Sequence, residues 1–172
     1  MINSDEPLFD DNGMKDSPGA TANPAVHERI RQLADRQPYA VLCVQGEGQP
    51  YGALVAFAFS EDLRHAVFVT PIATRKYRLL SECDHVALVI DDRANKADKL
   101  MEIEAVTVTG RSQLIERGGE FDQWAELLVT RHPYLNSFVK APTCALFRVD
   151  VVRFLHVARF QEVSQWIPDP SS

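Results

Sequence analysis

Cysteine, positive charge and long apolar runs are all in short supply in this sequence, and each shortage removes a class of protein. Cys43, Cys83 and Cys144 are odd in number and widely spaced, which fits neither a disulfide framework nor a zinc pattern. Two of them stand in apolar, strand-like runs and read as small buried hydrophobes. Lys and Arg number 18 against 24 Asp and Glu, a net charge of −6, so the chain lacks the basic face that nucleic-acid binding requires. No stretch approaches the roughly 18 consecutive apolar residues of a membrane span. The opening MINSDEPLFDDNG lacks the basic and apolar regions of a signal peptide, and the expected location is cytoplasmic. His27, His65, His85, His132 and His156 form no i, i+4 pair and no HExxH run, so neither a metal centre nor a nucleophile–base pair is spelled out.

What the sequence does have is one domain's worth of apolar residues. The chain is 172 residues long and 45% apolar, and at this size folding buries roughly two-thirds of the unfolded surface. Residues 1–23 carry Asp5, Glu6, Asp10, Asp11 and Asp16 among Gly, Ser, Pro and Asn, too little apolar surface to offset the entropy of ordering; a disordered or loosely packed segment is expected there. The folded domain is expected over 24–167, with a tail at 168–172.

Asn23 and Pro24 suit a helix start, and Val26, Ile30 and Leu33 recur at helical spacing up to Pro38. Strand formers follow in Tyr39–Gln45, Pro50–Phe59 and His65–Thr70, separated by Gly-rich and Ser-Glu-Asp turns. The period changes at Thr74, where TRKYRLLSEC reads as a short capped helix. Strands are then expected at His85–Asp91 and Glu104–Ile115, a helix after Gly118-Gly119 ending before Pro133, a strand or bent pair over Thr143–Ala158, and an edge element over Phe160–Ile167. Meander spacing of this kind predicts an antiparallel sheet closing on itself, hence a mainly β barrel with helices.

The segment FVTPIATRKY concentrates chemistry. A strand leads through a loop into a helix start whose free N–H groups favour an anion. Thr70 and Thr74 offer hydroxyls, Arg75 a guanidinium fork and Lys76 a point charge. Two readings stand at this point: a phosphate cradle, and a solvated basic turn capped by Thr74. Tyr51-Gly52-Ala53 likewise reads either as a strand bend or as a place where a ligand approaches the backbone closely. Asp91, Asp92, Arg93, Asn95 and Asp98 lack the central Gly and distal Glu of a calcium loop and read as a polar connection, from which Arg93 or Asn95 could reach a ligand's edge.

FVTPIATRKY closely resembles the phosphate-binding segment of the pyridoxamine 5′-phosphate oxidase-like family, whose pattern is aromatic-x-Thr, three residues, then Ser/Thr-Arg-Lys. RLLSECDHVALVID resembles that family's following helix and strand, and the acidic loop with AVTVTGR resembles related FMN-binding proteins. The resemblance implies a six-stranded antiparallel split barrel, a homodimer with FMN at the subunit boundary, and Thr70, Thr74, Arg75 and Lys76 as phosphate ligands. Two departures set the expected activity. The oxidases carry an Arg and a Lys on the second strand where this chain reads YGALVAFA, and they end in an Arg-x-His motif where this chain reads QWIPDPSS. Pyridoxamine 5′-phosphate is therefore not the expected substrate. The expectation is an FMN-dependent oxidoreductase of unassigned substrate, with an electron donor such as NAD(P)H. The alternatives are a flavin carrier or sensor, a haem-handling relative in which His156 approaches the iron, and a protein of the deazaflavin cofactor. No catalytic side chain is singled out.

Overall fold

The computed structural model describes residues 24–159 and 162–168; the expectations for residues 1–23 and for the last four residues lie outside these. The chain runs α1 (Pro24–Arg36), β1 (Tyr39–Gly46), β2 (Gln49–Phe59), β3 (His65–Pro71), α2 (Arg75–Glu82), β4 (His85–Asp91), β5 (Ala105–Ile115), α3 (Gly119–Arg131), α4 (Asn136–Lys140), β6 (Cys144–Ala158) and β7 (Glu162–Trp166). Short 3₁₀ turns lie at Arg93–Asn95, Leu100–Glu102 and Pro133–Leu135.

The strands form one antiparallel sheet in the order β3-β2-β1-β4-β5-β6-β7, and pairing of β3 with β6 closes six of them into a barrel. The expected six-stranded barrel is thus present, with β7 added outside the ring on the second half of β6. Closure works because β6 serves two neighbourhoods. Its first half, Cys144–Asp150, pairs with β3 and β5. Its second half, Phe154–Ala158, pairs with β5 and β7.

Between the halves, Arg153 faces Thr109 and Val151 faces Gly110, leaving Val152 as an extra residue. One extra residue reverses the alternation of a strand. Phe147 and Val149 therefore point into the core before the bulge, and Phe154 after it. What the sequence left open as a strand or a bent pair is one strand with a bulge.

Alternation does the rest. Ala40, Leu42 and Val44 of β1, Val55, Phe57 and Phe59 of β2, and Val86, Leu88 and Ile90 of β4 share the barrel interior. Helix α1 plugs one end with Val26, Ile30, Leu33 and Ala34, while α2 closes the other with Leu79 and Leu80. A second core lies outside the barrel, where Phe121 and Leu128 of α3 and Val139 of α4 cover Ala58, Val67, Val69 and Leu146. Helix α4 follows Pro133 in a stretch where no element was expected; it is five residues long and buries only Val139.

Candidate functional site

The junction between β3 and α2 is built from two threonines. Thr70, the penultimate residue of β3, is fully enclosed, and its Oγ1 lies 3.1 Å from Oγ1 of Thr74. Thr74 caps α2: its hydroxyl oxygen accepts from the Tyr77 N–H at 3.2 Å and its O–H donates to the Pro71 carbonyl at 2.8 Å. With the Thr74 proton directed to Pro71, the Thr70 hydroxyl is the donor in the Thr70–Thr74 contact. Both hydroxyl protons are thus spent on holding strand and helix together, which fixes the angle at which α2 leaves the barrel.

That arrangement leaves the first turn of α2 to face outward. Tyr77 N–H goes to the cap and Arg78 N–H to the Thr74 carbonyl. The N–H groups of Arg75 and Lys76 have no backbone partner among the described residues, as expected at a helix start. The Arg75 guanidinium lies 5.2 Å from the centroid of the Tyr51 ring, an arrangement that orients the cation without neutralising it. Lys76 is half-buried, and burial pulls its ammonium below the ordinary lysine value. Neither cation is paired with a carboxylate among the described residues, whereas Arg78, Arg93, Lys96, Lys99, Arg111, Arg148 and Arg159 all are. In a chain of net charge −6, two unpaired cations beside two free N–H groups form a donor set that suits a phosphate monoester.

The remaining predicted residues divide. Tyr51 points inward on β2 and packs against the core, so the structure joins it to Arg75, 24 positions later. Gly52 faces outward, opposite Cys43. A Cβ there would meet only Val41 Cγ1, at 3.6 Å, so packing within the protomer does not require glycine. Ala53 is half-buried on the inward face. Arg93 and Asn95 follow the far end of β4, beyond Asp91, and Arg93 is held by Asp91 at 3.2 Å. The seven residues of β4 span roughly 20 Å, so within one protomer these two residues are not brought to α2. His156 is buried, with Nε2 3.3 Å from the Glu104 carboxylate, facing the interior. Among the described residues no group of three or more His, Cys, Asp or Glu side chains could hold a metal ion.

The family profile described as pyridoxamine 5′-phosphate oxidase matches residues 26–158. The chain belongs to that family. The search of curated proteins finds no match.

Among solved structures the barrel is similar to a heme binding protein from Mycobacterium smegmatis, at 16% identity and a TM-score of 0.75 over 85% of this chain and 59% of that one. It is also similar to HutZ, a heme storage protein from Vibrio cholerae (15%, 0.64, 72% and 88%). A third is a FAD-binding protein from Mesorhizobium loti (13%, 0.61, 75% and 91%). At these identities the likeness is one of fold. The chain spans about three-fifths of the M. smegmatis protein's length. No described helix is long and apolar enough to cross a membrane.

Proposed function

We propose that this protein binds FMN, with the phosphate at the N-terminal turn of α2, and works as a flavin-dependent oxidoreductase of the oxidase-related group. The observation that carries the reading is the unpaired Arg75–Lys76 pair beside two free N–H groups. Lys76 is kept partly desolvated at a cost to the empty protein, and a bound dianion would offset that cost. Tyr51 holds Arg75 in place, and the Thr70–Thr74 pair sets the direction of the helix. A bound flavin would supply hydride and electron transfer, while the protein contributes binding and orientation. The second strand carries no Arg or Lys, which argues against pyridoxamine 5′-phosphate as substrate, because a polar substrate is selected by donors that must be in place. An open flavin face suffices for a nicotinamide donor.

The same reading includes a homodimer. Leu54, Val41, Val89, Thr107 and Leu155 follow one another across five strands on the outer barrel face, in direct register, and Leu54 is 71% exposed. Beside them run Gly52, Cys43, Ala87 and Thr109, small residues that permit close approach of a second sheet. A partner packed there would also bring residues remote from α2 in one protomer, Arg93 and Asn95 among them, toward the other protomer's flavin.

Haem is the second reading, favoured by the fold shared with the M. smegmatis and V. cholerae proteins and opposed by the enclosure of His156. Purified protein incubated with FMN, with the deazaflavin cofactor and with haemin, then desalted, separates the three. Retained bands at about 370 and 450 nm, general flavin values, are expected with FMN. Retention of a Soret band alone would replace this reading with the haem one, and retention of the deazaflavin alone would replace the cofactor.

A further inference from the structure

At the end of the barrel opposite α2, a cleft of about 270 Å³ opens between α1, α3 and the end of β2. Its volume falls just below the roughly 300–1,000 Å³ of drug-sized ligand sites, which sets the scale of an occupant at that of a small metabolite. The floor is apolar, formed by Ala58 of β2 and Leu127 of α3, beside Phe59, whose ring packs in the barrel interior. The rim carries Arg31 and Asp35 from α1 and Arg131 from α3.

The charges on that rim are unusual in being both mixed and unpaired. Arg31 and Asp35 are four apart on α1 and share a face, yet no ion pair within 4 Å joins them, and Arg131 likewise meets no carboxylate among the described residues. Instead each guanidinium is anchored through Nη2 on main-chain carbonyls. Arg31 donates to Ser60 at 3.2 Å and to Glu61; Arg131 donates to Gln37 at 2.7 Å and to Ala34 and lies over the Phe57 ring. Anchoring one nitrogen leaves the rest of the fork to an anion. Burial pulls Arg131 below the ordinary arginine value, Asp35 opposes that shift and Arg31 adds to it, so Arg131 feels both charges across the cleft.

Two held cations, one unpaired carboxylate and an apolar floor match a ligand carrying a carboxylate, an ammonium and a hydrocarbon group. We propose that this cleft binds a small zwitterion of the α-amino acid class with an aliphatic side chain. The carboxylate sits between Arg31 and Arg131, the ammonium against Asp35, and the side chain on Ala58 and Leu127. The site lies seven strand residues from Tyr51, at the far end of β2, and is independent of the flavin reading.

Calorimetric titration of the full chain with L-leucine, N-acetyl-L-leucine and L-leucine methyl ester tests it. Leucine is expected to bind saturably, and each blocked form about tenfold or more weaker, since each loses one charged contact. Asp35 is exposed, so Asp35→Asn is expected to fold and to abolish the preference for leucine over N-acetyl-leucine. Arg31→Gln, checked for folding by circular dichroism, is expected to weaken leucine and N-acetyl-leucine alike and to leave the methyl ester unchanged. Absence of saturation by leucine up to about 10 mM, a concentration corresponding to very weak binding, would overturn the proposal. Equal binding of all three compounds, or an unchanged preference in Asp35→Asn, would overturn it as well.

Discussion

His132, one of five histidines that form no constellation in the sequence, serves structure in the fold. It follows α3 and is 2% exposed. Because a carbonyl can only accept, Nε2 is the donor to the Phe57 carbonyl at 2.8 Å, and Nδ1 then accepts from the Tyr134 hydroxyl at 3.3 Å. Burial, first, and neighbouring Arg131, last, push the imidazole below the ordinary value, while the Phe57 contact works the other way. A depressed folded-state value means that the unfolded chain takes up the proton first. Stability is then full above the usual histidine value of about 6.5, and declines as pH falls through it toward the folded-state value. Urea midpoints at pH 7.5 and 5.5 should therefore differ more for the wild type than for His132→Gln; an equal pH dependence would contradict the assignment. The phosphate-competent residues around Thr74 were legible in the sequence because cap, cations and strand end are consecutive. The internal use of the Thr70 hydroxyl and the Tyr51–Arg75 contact were not, since both depend on how distant elements meet.

The elements were legible wherever local pattern decides them. Three strands, a capped helix and the following apolar strand emerged from alternation, turn residues and a change of period, because one buried face per element leaves that imprint. The β6 bulge left none. Its cause is visible at Gly110, where a Cβ would lie 2.4 Å from the Asp150 carbonyl oxygen and 2.8 Å from Val149 Cγ1. The main chains of β5 and β6 approach there too closely for any side chain. Gly110→Ala must separate them, and a loss of about 1–3 kcal/mol is expected, in line with overpacking at a rigid site. Gly52→Ala, whose Cβ would meet only Val41 Cγ1 at 3.6 Å, should leave protomer stability within about 0.5 kcal/mol, as for open surface positions. Chemical denaturation of the two variants checks the contrast, and equal losses would show that the bulge does not set it.

At the scale of the whole molecule, the barrel has one outer flank covered by α3 and α4 and another, from β2 through β1, β4 and β5 to β6, lined by aliphatic and small residues. In the proposed dimer this second flank is the interface, since apolar surface left at the outside of a barrel is where a partner packs. Leu54→Asp places a charge on its most exposed aliphatic residue, at the β2 side, and should convert a particle of twice 19.3 kDa to one of 19.3 kDa in sedimentation, with the fold retained; a wild type already sedimenting as a monomer would remove the dimer from the account. The central claim is that the first turn of α2 recognises the phosphate of FMN. Its most direct test is to titrate wild type, Arg75→Ala and Lys76→Ala with FMN and with riboflavin, which lacks the phosphate. Each substitution is predicted to weaken FMN by about 1–3 kcal/mol, the range for hydrogen bonds to charged groups, and to leave riboflavin nearly unchanged. Equal losses for the two flavins would contradict it.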